Sequence, residues 1–219
     1  MNMRRKFLRN SLATSAAMNL SALASYASLI GASTVLGLNA SFLMGCTSLN
    51  GPVPRSLVVQ DLDVPFVTTP DNVVFKILEM AGVSDRDFLL DLGSGDGRIP
   101  ITAALKLGTR GLGVEIDPQL VWRSKENAKI AKVDHLVDFK VQDLFDTDLG
   151  QATVITMYLL PDVNMKLRPA LQKLKSGTRI VSHDWDMGDW EPTRSERIAA
   201  PEKKVGLIKE SKIMLWVVR

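Results

Sequence analysis

In Leu89-Leu90-Asp91-Leu92-Gly93-Ser94-Gly95-Asp96-Gly97-Arg98 an apolar run gives way at once to glycine at every second position. The apolar lead-in has the character of a buried strand. Gly93, Gly95 and Gly97 then allow a sharp turn into a helix whose first amides face the crevice beyond that strand. A dinucleotide fingerprint of the form G-x-G-x-x-G would need glycine at 98, where the chain has Arg98. The loop therefore predicts a small-molecule site, with the dinucleotide reading disfavoured.

Working outward, strands and helices alternate. Thr69 as N-cap, Pro70 at the first helical position and Asp71 in the first turn predict a helix start. Val73, Val74, Ile77, Leu78 and Ala81 share its apolar face, and Gly82 ends it. Strands are expected at 88–92, 111–116, 137–141, 153–158 and 179–182. The intervening helices present Ile99, Ala103, Ala104 and Leu107, then Leu120, Val121, Ala128 and Ala131, then residues 162–174. Asp117-Pro118 opens the second of these. Short helices between apolar strands predict an α/β, doubly wound, mostly parallel sheet covered on both faces. Val205 to Lys209 and Lys212 to Val218 have no helix between them and read as an antiparallel pair closing one edge.

Composition bounds the function. The chain has 219 residues, 46% of them hydrophobic, enough for one domain plus a tail. Its net charge of +3 is misleading, because four of the 27 basic residues (Arg4, Arg5, Lys6 and Arg9) fall in the first ten, leaving 23 against 24 acidic. A near-neutral remainder has no basic stripe for phosphates, which argues against nucleic acid as the partner. Cys46 is the single cysteine and His135 and His183 the only histidines, so a domain disulfide, a thiol nucleophile and a zinc site are all disfavoured.

No charge occurs between Arg9 and Arg55. Residues 1–46 therefore read as an export signal or membrane anchor, 47–63 as a linker and 64–219 as the folded domain. Arg4-Arg5-Lys6-Phe7-Leu8 resembles a twin-arginine signal. Leu43-Met44-Gly45-Cys46 resembles a bacterial lipobox, with Cys46 the lipidation site, although Met44 departs from the small or branched residue usual there. The expected location is the bacterial cell envelope, exported or membrane-anchored. An uncleaved anchor, a mitochondrial transit peptide, and a cytoplasmic product translated from Met44 are the alternatives.

Ligands of such a sheet sit beyond the carboxyl ends of its strands. Strand one ends in Asp91 and the glycine loop. Strand two ends in Glu115, eighteen positions after Gly97, where a carboxylate can accept from two ribose hydroxyls. Strand three ends in Asp143, suited to an adenine amine, and strand four in Tyr158-Leu159-Leu160-Pro161. Four successive strand ends thus offer contacts to one adenosine-containing ligand.

Asp91 to Arg98, Gly113-Val114-Glu115-Ile116-Asp117-Pro118, Asp143 and the antiparallel terminal pair resemble a class I, seven-stranded, Rossmann-like S-adenosylmethionine (SAM)-dependent methyltransferase. More narrowly, Val64 to Pro70, Tyr158 to Pro161 and Val181-Ser182-His183-Asp184 resemble bacterial relatives of the ATP-synthase c-subunit lysine methyltransferases. The chain departs from that pattern at Phe66 and Thr68, where tyrosine and proline are expected. The resemblance implies SAM as methyl donor, its methionine part held by Asp91, Gly93, Ser94, Gly95 and Gly97, its ribose by Glu115 and its adenine by Asp143. It also implies a protein lysine as acceptor.

A lysine must lose its proton before it can take a methyl group. Tyr158 is the candidate to orient the amine, and Asp184 or His183 to receive the proton. Each has a plainer reading: Tyr158 as a packing aromatic, His183 as a hydrogen-bonded structural histidine, Asp184 as a loop cap. The rival function is a SAM- or nucleoside-binding module without transferase activity at a membrane surface.

Overall fold

The protein is described by a computed structural model covering residues 66–219; the segments read as signal, lipidation site Cys46 and linker lie outside the described residues. Seven strands form one mixed sheet: β1 (Phe88–Leu92), β2 (Arg110–Glu115), β3 (Val137–Val141), β4 (Val154–Met157), β5 (Arg179–His183), β6 (Arg194–Ala199) and β7 (Glu210–Val217). Their order across the sheet is β3-β2-β1-β4-β5-β7-β6. The first five pair in parallel, whereas β7 is antiparallel to both β5 and β6. This is the doubly wound, mostly parallel sheet expected from the sequence. The strand order reverses between β1 and β4, so a crevice opens beyond their carboxyl ends.

Among the described residues, four α-helices cover the sheet: α1 (Asp71–Ala81), α2 (Arg98–Leu107), α3 (Pro118–Ile130) and α4 (Pro161–Leu171). The two-residue period of the strands sorts the core. Leu89 and Val154 face α1 and α2, with Ile77, Leu78 and Ala103. Leu90, Leu92, Ile155 and Met157 face the other way, toward Val163, Leu167 and Leu171 of α4. Each such aliphatic side chain, fully buried, contributes about 1.5–3 kcal/mol. The same alternation puts Asp91 on the α2 side, buried with only 3% of its surface exposed. A carboxylate there needs a functional reason.

Two expectations are corrected. The penultimate strand is Arg194–Ala199, not 205–209. It opens on Arg194-Ser195-Glu196-Arg197 because β6 is the sheet edge, where charge rather than apolar alternation suits solvent and discourages further pairing. The apolar 205–209 run is a loop broken by Gly206, at φ +82°. Thr69 is likewise not the N-cap of α1. Pro70 takes that place, its carbonyl accepting from Val73 and Val74 N–H, while the buried Thr69 points its carbonyl elsewhere. Asp117, by contrast, caps α3 as expected, accepting from Gln119 N–H at 2.8 Å.

Candidate functional site

A cavity of about 430 Å³ opens beyond the ends of β1, β2, β3 and β4, within the range of small-molecule sites. The glycine loop forms one wall. Gly93, Gly95 and Gly97 all have positive φ, and Gly97 shows why nothing larger fits: a Cβ there would lie 2.7 Å from both Phe139 and Ser124. With the chain turned this tightly, Ser94 N–H reaches Val114 O, and Gly95 N–H donates to Glu115 Oε2 at 3.0 Å.

Glu115 also accepts from Ile116 and Asp117 N–H through Oε1. Three backbone amides hold the carboxylate in one orientation at the cavity wall and leave part of Oε2 for a ligand. Asp143, one strand further, spends Oδ1 on Phe145 N–H and presents Oδ2 without a donor among the described residues. Asp91 lies deepest. Thr156 donates to its Oδ1 at 2.6 Å, and burial, aided by the charges of Glu115 and Asp96, pushes its carboxyl up to about 7. Buried Ser94 Oγ has no hydrogen-bond partner. The free oxygen of Asp143 and part of Glu115 Oε2, around glycines that admit close approach, fit the amine and ribose groups of SAM, while Ser94 Oγ turns away from the cavity toward Gly113.

Arg98 has a role that its absence from the dinucleotide pattern did not suggest. Its guanidinium makes a forked bond to Asp96 and donates to Thr69 O at 2.8 Å. The segment before α1 is thereby strapped over the loop, with the Phe66 ring against Gly95.

Across the cavity, Tyr158 follows β4 and forms part of the wall. Its hydroxyl donates to Asp184 Oδ2 at 3.2 Å, and its ring lies on His183 with centroids 3.9 Å apart. Burial, then the Asp184 charge, raises the phenol well above its usual range, so it stays protonated. His183 is fully buried behind Tyr158 and does not line the cavity. Its Nε2 meets Ser211 Oγ at 2.8 Å, and burial pushes the imidazole down to about 4, so it is neutral at pH 7.

Asp184 sits in the left-handed region at φ +66°, fixed by Asp184 N–H to Lys212 O and Lys212 N–H to Asp184 Oδ1. Burial opposes its ionisation, but the hydrogen bond and charge of Lys203 and the hydrogen bond from Lys212 N–H hold it below the usual carboxylate range. Lys203 Nζ reaches Asp184 Oδ2 at 2.7 Å. The fully buried Asn164 of α4 pins the following loop, donating to Trp185 O and Asp186 O.

The model of the ANTKMT methyltransferase domain matches residues 91–194. A protein-lysine N-methyltransferase of Saccharolobus islandicus is 43% identical over 59% of this chain and 81% of its own length. The ATP synthase c-subunit lysine N-methyltransferase of Xenopus laevis is 31% identical over 61% of this chain and 59% of its own. The chain belongs to the SAM-dependent methyltransferases. A crystal structure described as an RNA methyltransferase from Salinibacter ruber, with S-adenosyl-L-homocysteine, is 50% identical, with a TM-score of 0.62 over 69% of this chain and 94% of that one.

The methyltransferase domain match begins at Asp91, at the glycine loop, and ends at Arg194, beyond Asp184. It includes the glycine loop, Tyr158 and Asp184 but not the strap at 66–69, Lys203 or Ser211. Lys203 and Ser211, with Arg98, Thr156 and Asn164, are site residues that sequence reasoning missed. Only Arg98 left a signal, by standing where a glycine was sought.

Proposed function

We propose that this methyltransferase transfers methyl from SAM to the Nζ of a protein lysine. The observation that carries the reading is the Tyr158–Asp184 pair: a phenol hydroxyl at the cavity wall, hydrogen-bonded to a carboxylate kept ionised, in a chain 43% identical to a protein named as a lysine N-methyltransferase. When bound, SAM supplies a sulfonium-activated methyl group for in-line transfer to an uncharged amine. The glycine loop, Asp91, Glu115 and Asp143 hold and orient it, and the strap at Phe66 helps exclude water. Tyr158 orients the incoming amine through its oxygen or ring face. Asp184 takes the proton that the amine must lose; its ionised state suits it to this better than His183, whose Nε2 is engaged by Ser211. His183 positions Tyr158 by stacking beneath its ring.

The test is transfer of labelled methyl from SAM to fractionated cell extract by the full chain. We expect label in protein, recovered as methyl-lysine after hydrolysis. Label only in RNA would favour the class named for the Salinibacter structure, which the near-neutral charge of the domain argues against. Tight SAM binding with no labelled product would favour a binding module. We also propose an envelope location, exported or anchored through residues 1–46, supported by the basic run and the charge-free interval that follows it. A folded, loaded domain carried out by a twin-arginine route, or one anchored beside the cytosolic pool, would reconcile that location with a cofactor made in the cytosol. Fractionation of a tagged chain with N-terminal sequencing checks this.

A further inference from the structure

The loop between β6 and β7 has a firm base and an uncovered apolar tip. At the base, Ala200 is fully buried and its N–H donates to Lys209 O at 2.7 Å, while Lys203 N–H donates to Ala200 O at 3.0 Å. The Lys203 side chain turns inward, its Nζ shared between Asp184 Oδ2 and Glu210 O, each at 2.7 Å. Beyond these pins the chain turns at Gly206, around which nothing lies within 4 Å of a would-be Cβ. Leu207 there is 101% exposed, Ile208 70% and Val205 41%. Such a cluster on a protruding turn is not explained by folding, since it buries nothing.

Its neighbours indicate the occupant. Lys203, Lys204 and Lys209 bracket the tip, with Glu202 and Glu210 one step further back, and Lys209 Nζ donates to Lys203 O beneath the tip. Cores of protein interfaces are enriched in aromatics and arginine and depleted in lysine, and leucine is under-represented among their hot spots. This tip has aliphatics and lysines, with no aromatic and no arginine. Aliphatic side chains at the apex with lysines one step back match the layering of a bilayer surface, where acyl chains lie under a sheet of phosphates.

We propose that the β6–β7 loop is a membrane-docking wedge: Val205, Leu207 and Ile208 enter the boundary between headgroups and acyl chains, and Lys204 and Lys209 meet the phosphates of anionic lipids. Lys203 ties the wedge to Asp184, so docking brings the acceptor side of the cavity to the membrane and favours lysines displayed at its surface. That last step rests on the reading of Tyr158 and Asp184 as the acceptor side; the docking does not.

The test uses the full chain with Cys46→Ser and a single environment-sensitive fluorophore on Leu207→Cys, or, as control, on Ile130→Cys. Ile130 is exposed on α3, at the opposite edge of the sheet. With vesicles of phosphatidylglycerol and phosphatidylcholine, the label at 207 should shift to the blue and be quenched by shallow spin-labelled lipid, while the label at 130 stays unchanged. Lys204→Gln with Lys209→Gln should weaken the response about tenfold or more. No response at 207, an equal response on phosphatidylcholine alone, or a blue shift that grows with protein concentration without vesicles would overturn the proposal, the last by identifying a second copy as the occupant. The readout needs no methyl transfer, so failure of the labelling assay and failure of this one are distinguishable.

Discussion

The two walls of the cavity are made by different means. On the proposed donor side the working parts are largely backbone: three glycines in left-handed conformations, a carboxylate held by the amides of Gly95, Ile116 and Asp117, and a helix start, all within residues 91–117. On the proposed acceptor side Tyr158 alone of the candidate residues meets the cavity, backed by side chains from distant places. Tyr158, His183 and Asp184 depend on Asn164, Lys203, Ser211 and Lys212, brought together only by β5 and β7 pairing antiparallel. A backbone turn tolerates no added atom, and the carboxylates it sets in place serve to bind. A side-chain network can be altered one proton or one hydrogen bond at a time. Donor-side changes should therefore act through stability and binding, and acceptor-side changes through turnover.

The largest effect should come from Gly97→Val. The positive φ costs about 1–2 kcal/mol, and the clash with Phe139 and Ser124 about 1–3 more. Urea unfolding should lose about 2–5 kcal/mol, and SAM binding should fall with it. A fully stable variant would break the comparison.

Next, Asp91→Asn removes a charge-assisted acceptor and should weaken SAM about 10- to 100-fold by calorimetry, without unfolding the protein. It carries a pH signature. Asp91 is raised from 3.8 to about 7 on folding, so between those values the folded state holds a proton that the unfolded state has lost. Its contribution to stability declines as pH rises through that window, and Asn should abolish the decline. A cationic ligand favours the charged form, so SAM affinity in the wild type should increase as pH rises through 7 and be flat in Asp91→Asn.

Smallest in free energy, and most telling for the comparison, is Tyr158→Phe. Loss of one hydroxyl should reduce kcat about tenfold while leaving SAM affinity unchanged. If donor affinity falls and kcat does not, the two walls are not separate in function.

The same contrast explains what could be read from the chain. Residues 91–98, 115 and 143 were legible because a turn of this kind needs glycine at fixed positions and because strand ends are marked by the apolar runs before them. Six of the seven strands and all four described α-helices were legible from the sequence pattern. Lys203 and Ser211 were not, since their partners lie 19 and 28 positions away and nothing local in a lysine or serine states what it will face. The β6 edge was missed for a related reason. A strand with one wet edge carries charge, and Val205-Gly206-Leu207-Ile208 nearby mimicked the apolar pattern better than the strand itself. Arg98 was read only as a glycine that was absent.

That arginine has a mechanical consequence. Nε and Nη2 of its guanidinium stay on Asp96 within the loop while Nη1 alone reaches Thr69 O in the strap, so lifting the strap breaks that one bond and leaves the fork in place. Strap and loop can therefore part and rejoin without disturbing the glycine turn that Arg98 helps to hold.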